Sequence, residues 1–292
     1  MFDHLLDVLL KVNAMTRIFF ILAMLIGGVA VFNGCDTLEQ DFKGLAASIK
    51  PTSPADAARM MMDPHNADNR REGTTLISNA PWGGVDIYIA AYRDKVLNET
   101  DPIARAAAIR ALARWGEPED ALRIMPHLDD PNIQVRWEAA KGLQRLHNPA
   151  VVADLLRVLR DESQHSDVRV ACAVALGQYP EDRVVQGLIA SLDARELTIN
   201  KAAEDSLHTL TGLSFDMDSH RWLAWYQGAS AAGSAFTAQS EYLFPTYYRD
   251  DTIWEKLAFW TSRHWEKPAP PAGLRPKSQR STYEDEAQPP RS

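Results

Sequence analysis

Four nine-residue segments align without gaps on a shared final leucine: ARAAAIRAL (104–112), VRWEAAKGL (135–143), VRVACAVAL (168–176) and INKAAEDSL (199–207). Their anchors Leu112, Leu143, Leu176 and Leu207 follow one another at steps of 31, 33 and 31 residues. A degraded copy, NRREGTTLI, ends at Ile77, 35 residues before Leu112. A unit of this length cannot bury its own apolar face and needs stacked neighbours, so the period, without a strand signal, specifies a stacked helical solenoid.

The alignment columns carry the packing. Ala104, Val135, Val168 and Ile199 stand eight residues before the anchor. Ala108, Ala139, Cys172 and Ala203 stand four before it, and Ala111, Gly142, Ala175 and Ser206 one before it. With the anchor these positions share one helix face. Small residues let neighbouring helices approach and leucine fills the gap between repeats, so Cys172 reads as a small core residue in place of alanine. A preceding helix in each unit ends on Leu97, Leu128, Leu159 or Leu192. The turns ETDP (99–102), DDPN (129–132) and SQHSD (163–167) carry the Asp, Ser and Pro signals of a helix start. Seven residues before the anchor stand Arg70, Arg105, Arg136 and Arg169, then Asn200. The acidic turns offer these arginines partners, which predicts a ladder inside the stack.

The pattern D-P-x-x-V-R-x-x-A-x-x-A-L resembles the short HEAT repeats of bacteria, over roughly residues 53–213. The resemblance implies an all-α solenoid of about five helical pairs whose second helices line a concave, partner-binding surface. It also implies a closing element at 214–228, where Trp222, Leu223, Trp225 and Tyr226 form a tryptophan-rich cap.

At the N-terminus, Ile18 to Gly34 is a 17-residue uncharged run preceded by Arg17 and ending at Cys35. A positive start, an apolar stretch and small residues before the cysteine describe an export signal, and the run resembles the lipobox of bacterial lipoproteins. That resemblance implies removal of residues 1–34 as a signal peptide and lipidation of Cys35, with Met1 or Met15 as initiator. The expected location is therefore an exported bacterial protein, lipid-anchored in the cell membrane and facing the periplasm or the exterior. A polar spacer, 35–52, follows. Beyond the repeats, 229–266 reads as a linker and an aromatic amphipathic helix centred on 250–265. Residues 267–292, with six prolines, read as a disordered tail.

Signals of chemistry are sparse. The net charge of −8 repels phosphate backbones and argues against nucleic acid as a partner. No zinc-type Cys/His spacing, GxSxG, Walker or HExxH motif occurs. The di-iron hydroxylases built on such repeats carry repeated His-Glu pairs, and this chain has no His-Glu dipeptide, so no metal and no cofactor is expected. Asp216, Asp218 and His220 read as a helix-capping turn rather than an acid/base set. A stripe turned away from the core holds Arg110, Arg114, Trp137, Lys141 and Arg145, residue types enriched at binding hot spots. The expectation is a membrane-tethered, non-catalytic scaffold or adaptor, not an enzyme, that binds protein partners through this face. The alternative is a lyase-like or enzyme-accessory protein that holds a small molecule in the solenoid groove.

Overall fold

The computed structural model describes residues 52–231 and 271–274. Among these residues there are eleven α-helices and no strand beyond one isolated bridge. In chain order they are α1 (Pro54–Met61), α2 (Ala67–Asn79), α3 (Asp86–Asn98), α4 (Pro102–Trp115), α5 (Ala121–Ile124) and α6 (Ile133–Arg145). Next come α7 (Val152–Arg160), α8 (Ser166–Leu176), α9 (Asp182–Ser191), α10 (Leu197–Thr211) and α11 (Ser219–Ala231). Short 3-10 turns flank α5 and lead into α7. The helices form five consecutive pairs, α1/α2 to α9/α10, and α11 follows. The chain is an all-α HEAT-like solenoid, as its period requires.

The second helix of each pair packs on the next in the order α2, α4, α6, α8, α10 and builds one continuous layer. The alignment columns lie inside it. Val135, Val168, Ile199, Ala108, Ala139, Cys172 and Ala203 have no exposed surface, and neither do the anchors Leu112, Leu143, Leu176 and Leu207. Gly142 shows why the last column is small. A Cβ there would lie 3.3 Å from both Ala113 Cβ and Ile124 Cδ1, tighter than most side-chain contacts. Polar staples tie the same layer together. Trp115 Nε1 donates to Ser78 O at 2.7 Å, Gln144 Nε2 to Ala171 O at 3.1 Å, and Ser206 Oγ to Ala173 O at 2.8 Å.

The first-helix column needs one change. Leu128, Leu159 and Leu192 are buried, but Leu97 is 58% exposed and Val96 is fully buried in its place. The third helix is thus rotated by one residue from the sequence alignment. Helix starts differ in detail too. Asp101 caps α4, accepting from Ile103 N and Ala104 N at 3.0 and 2.9 Å. In the next unit Asn132 takes the cap, accepting from Gln134 N at 2.8 Å, and α8 is capped by the His165 ring. That substitution releases Asp130 for another task.

The task is the arginine ladder, which the structure shows in full. Arg70 makes a two-pronged bond to Glu99 at 2.7 and 2.8 Å. Arg105 donates to Glu99 O at 2.7 Å and to the Asp130 carboxylate at 2.8 and 3.1 Å. Arg136 donates to Asp130 O at 2.8 Å and to Gln164 Oε1 at 2.9 Å. Arg169 holds Leu159 O at 3.0 Å and reaches Glu196 at 3.4 Å. Arg70 also donates to Asp63 O at 3.1 Å, so each arginine holds a carbonyl in or just before its own inter-helix turn and a side chain of the next. Asn200 ends the series with its Oδ1 buried and unpartnered.

The cap closes the far end. Trp222 is fully buried, stands edge-on to Phe215 (4.9 Å) and Trp225 (5.7 Å), and donates its Nε1 to Asp216 O at 2.9 Å. Tyr226 accepts from Gln186 of α9 at 3.1 Å. Leu223 is 43% exposed and plays no part in it, contrary to the sequence reading. The capping helix also runs to Ala231, past the expected 214–228 boundary.

The expected signal run, Cys35 and the spacer up to residue 51 lie outside the described residues, as does the aromatic segment 250–265. The tail expectation fails for four residues. Pro271–Leu274 packs on the solenoid, with Pro271 and Leu274 buried and Ala272 bridged to Leu146.

Candidate functional site

The exposed side of the second-helix layer carries the stripe singled out in the sequence, and its side chains are engaged with neighbours on the same layer. Arg110 of α4 pairs with Glu138 of α6, and its Nε lies 3.2 Å from Glu138 Oε1. Gln134 reaches the same oxygen at 3.3 Å. Arg114 donates to Asn79 Oδ1 at 2.9 Å and lies over the Trp115 ring at 5.4 Å. The Lys141 ammonium sits 4.3 Å above the Trp137 ring, a cation–π contact that orients both. At the same register on α8, half-buried Val170 and Val174 continue the row beside Trp137 and Lys141. Farther along, Asp205 and Glu204 bind Lys201 at 2.8 and 2.6 Å and hold its ammonium above the ordinary lysine value. Arg145 closes the row at the end of α6. The face is therefore an apolar centre of Trp137, Val170 and Val174 with cationic side chains around it.

Glu138 was not singled out in the sequence, although the alignment held its signal. Five residues before the anchor stand Ala107, Glu138, Ala171 and Ala202, a lone carboxylate in an alanine column. At 3% exposure it can be tolerated only paired, and Arg110 supplies the charge.

Two other places gather ionisable groups. Between the α1–α2 turn and the end of α3, a 260 Å³ pocket is lined by Asp63, Arg70, Asp94, Lys95 and Glu99. Burial pushes the Lys95 ammonium below its usual value, opposed by Glu99 at 3.7 Å. Burial likewise pushes Glu99 up, but the Arg70 bonds, the Asp101 N–H and Lys95 outweigh it and hold the carboxyl low. A groove of 560 Å³ between α7 and α9 is lined by Arg157, Arg160 and Arg183 over Ala153 and Leu156. Arg157 is bound to Asp129 at 2.7 and 2.9 Å, and Arg183 to Glu181.

Among the described residues, no group of three His, Cys, Asp or Glu side chains is placed to hold a metal ion. Those residues therefore do not fit a metal centre. The Asp216–His220 turn is a cap: Asp218 accepts from Arg221 N at 3.0 Å, and all three side chains are exposed. Burial raises the Cys172 thiol far above its ordinary value, which suits a core residue. No helix among the described residues is long and apolar enough to cross a membrane.

Residues 121–208 match the HEAT-repeat family, so the chain carries a HEAT-repeat domain. A deoxyhypusine hydroxylase of Candida albicans is 31% identical over 111 residues, which are 37% of this chain. The chain spans about a third of that curated relative's length, 35%. Two solved structures are also similar. Human deoxyhypusine hydroxylase in complex with glycerol is 16% identical, over 56% of this chain and 84% of that one, with a TM-score of 0.29. The Escherichia coli protein YibA is 17% identical, over 76% and 90%, with a TM-score of 0.32. At those scores neither superposition carries information about a site.

The sequence similarity to a hydroxylase overturns two expectations: the non-catalytic scaffold or adaptor, and the chain that is not an enzyme. The physical reason lies in what the repeat columns encode. Alanine and leucine columns specify how helical pairs stack, and they are silent about the exposed positions that an enzyme on the same repeats fills with its own chemistry.

Proposed function

We propose that this chain takes part in an enzyme-catalysed reaction, as the enzyme's catalytic chain or its accessory, and holds a substrate on the exposed face of its second-helix layer. The observation that carries this reading is the 31% identity with a deoxyhypusine hydroxylase over 111 residues. The face that fits the task is the row of Arg110, Arg114, Trp137, Lys141 and Arg145 beside Val170 and Val174. It offers an apolar floor with cations around it, suited to a peptide or small molecule that joins an apolar body to an acidic group. Native mass spectrometry of the full chain purified from its own source tests this. A bound species, released on denaturation and reduced in a Trp137→Ala, Arg145→Glu chain, supports the reading. A wild-type chain without a bound species, or one whose load the double variant retains, overturns it.

We also propose that the chain is exported and held at a membrane by lipid on Cys35, facing the periplasm or the exterior. The support is the run Ile18–Gly34 ending at that cysteine. Two or more acyl chains hold a protein at a bilayer stably where one does not. Labelled palmitate should enter the wild-type chain and not Cys35→Ala, and equal labelling of both would refute the anchor.

A further inference from the structure

The four described residues of the C-terminal stretch sit on a ridge that the solenoid builds for itself. Helix α6 ends in extended Leu146 (φ −117°, ψ 108°), so Arg145 O and His147 N are paired outside the helix. Both are taken by one residue. Ala272 N donates to Arg145 O at 2.7 Å, and His147 N donates to Ala272 O at 2.8 Å, a single parallel bridge. By contrast, α4 and α8 close on glycines of their own turns: Gly116 N donates to Leu112 O, and Gly177 N to Val174 O.

The platform below is built around the end of the fourth pair and is tied by bonds among the solenoid's own residues. Gln178 Nε2 donates to Leu143 O and Ala175 O at 3.1 and 3.0 Å, while its Oε1 lies 3.1 Å from His147 Nδ1. The Tyr179 ring stacks on His147 at 4.8 Å, and its hydroxyl both accepts from Asn148 N and donates to Asn148 O. Asn148 Nδ2 in turn donates to Pro118 O at 3.1 Å and ties the two loops together.

The segment's own shape is demanding. Leu274 N donates to Pro271 O at 3.0 Å, which closes a β-turn with Gly273 at its third position and φ of +95°. L side chains rarely adopt that angle, as in a type II turn. A Cβ on Gly273 would also lie 2.8 Å from Pro118 Cγ and 3.3 Å from His147 O. Pro271 is buried and Leu274 is 6% exposed. A glycine excluded from substitution on two counts, two backbone bonds and two buried apolar ends are the marks of peptide recognition by strand addition with side-chain pockets.

We infer that the ridge Arg145–Asn148 with Pro118 is a peptide-recognition site that reads a Pro-x-Gly-Leu turn, and that Pro271–Leu274 is its resident ligand. The site does not depend on the enzymatic reading above. Covalent tethering gives the resident segment a high effective concentration, so a free peptide gains access only when the segment is disabled.

The test uses full chains, wild type and Gly273→Val, and a labelled peptide of residues 268–277 (PAPPAGLRPK). Gly273→Val is expected to bind the peptide at least roughly tenfold more tightly than wild type. The same peptide with aspartate in place of its leucine should not bind. Hydrogen exchange at the His147 amide should be faster in Gly273→Val and slowed again by added peptide. Leu274→Asp in the full chain provides a second disabled variant with an unaltered turn glycine. Failure of both variants to bind the peptide, or a His147 amide that exchanges alike in all chains, would overturn the site.

Discussion

Cys172 shows how a single position answers to its column. It stands where the other repeats have alanine, it has no exposed surface, and burial pushes its thiol up, so the thiolate that reacts with alkylating agents is suppressed. In the native chain Cys172 should resist iodoacetamide at neutral pH and label at the rate of global unfolding. Fast labelling under native conditions would contradict its place in the core. Asn200 shows the opposite case, a position that departs from its column. The four preceding repeats place arginine there, and Asn200 instead leaves a buried oxygen without a partner. The chemistry of these two sites was legible in the alignment to different degrees. A methylene-sized choice in a helix-packed column is dictated by space, whereas the fate of one amide oxygen depends on which groups of other elements surround it.

At the scale of elements, arginine bonds between successive turns, three of them ion pairs and one to Gln164, couple each helical pair to the next. Arg105 and Asp130 are 15% and 7% exposed at their side chains. Removing one partner of such a pair strands the other, at a cost on the order of 3 kcal/mol. Arg105→Ala should therefore lower the unfolding free energy extrapolated from urea denaturation by that much, and a loss below about 0.5 kcal/mol would mean that the ladder contributes no more than a surface pair. Acid should find the same elements. Burial raises Glu99 and Asp120, but bonds from Arg70 and Arg93 outweigh it, so both carboxyls are held below their unfolded values of 4.5 and 3.8. As pH falls past those values the unfolded chain takes up protons first, and the stability present at neutral pH is lost. His127 and His147 act earlier. Burial lowers both below 6.5, so the unfolded chain protonates first there as well, and stability declines as pH falls from about 6.5. Thermal midpoints measured across this range should thus drop in two stages, and His127→Gln with His147→Gln should remove the upper one. A single acid stage in the wild type would show that the histidines are not buried as described.

For the whole molecule, stability in a solenoid is a sum over neighbours, so damage at one end stays near that end. Trp222→Ala removes the largest fully buried side chain of the cap, a loss of about 3–5 kcal/mol. Hydrogen exchange should then quicken first in α11, α9 and α10 and leave α4 and α6 nearly as in wild type. Uniform acceleration across all pairs would mean that the stack behaves as one cooperative unit. The solenoid and its repeat count were readable beforehand, because a period of 31–33 residues with alanine and leucine columns admits one way to bury its apolar faces, and the closing tryptophans were implied by the resemblance to HEAT repeats. The one-residue rotation that buries Val96 and exposes Leu97 was not readable, since both are apolar and only the packed neighbours choose between them. Nor was the pairing of Glu138 with Arg110, or the docking of Pro271–Leu274 on a loop more than 120 residues earlier. Local periodicity acts between residues a helical turn apart and is written along the chain. Contacts between distant segments are decided by shape and by unsatisfied backbone groups, which exist only once the helices are stacked.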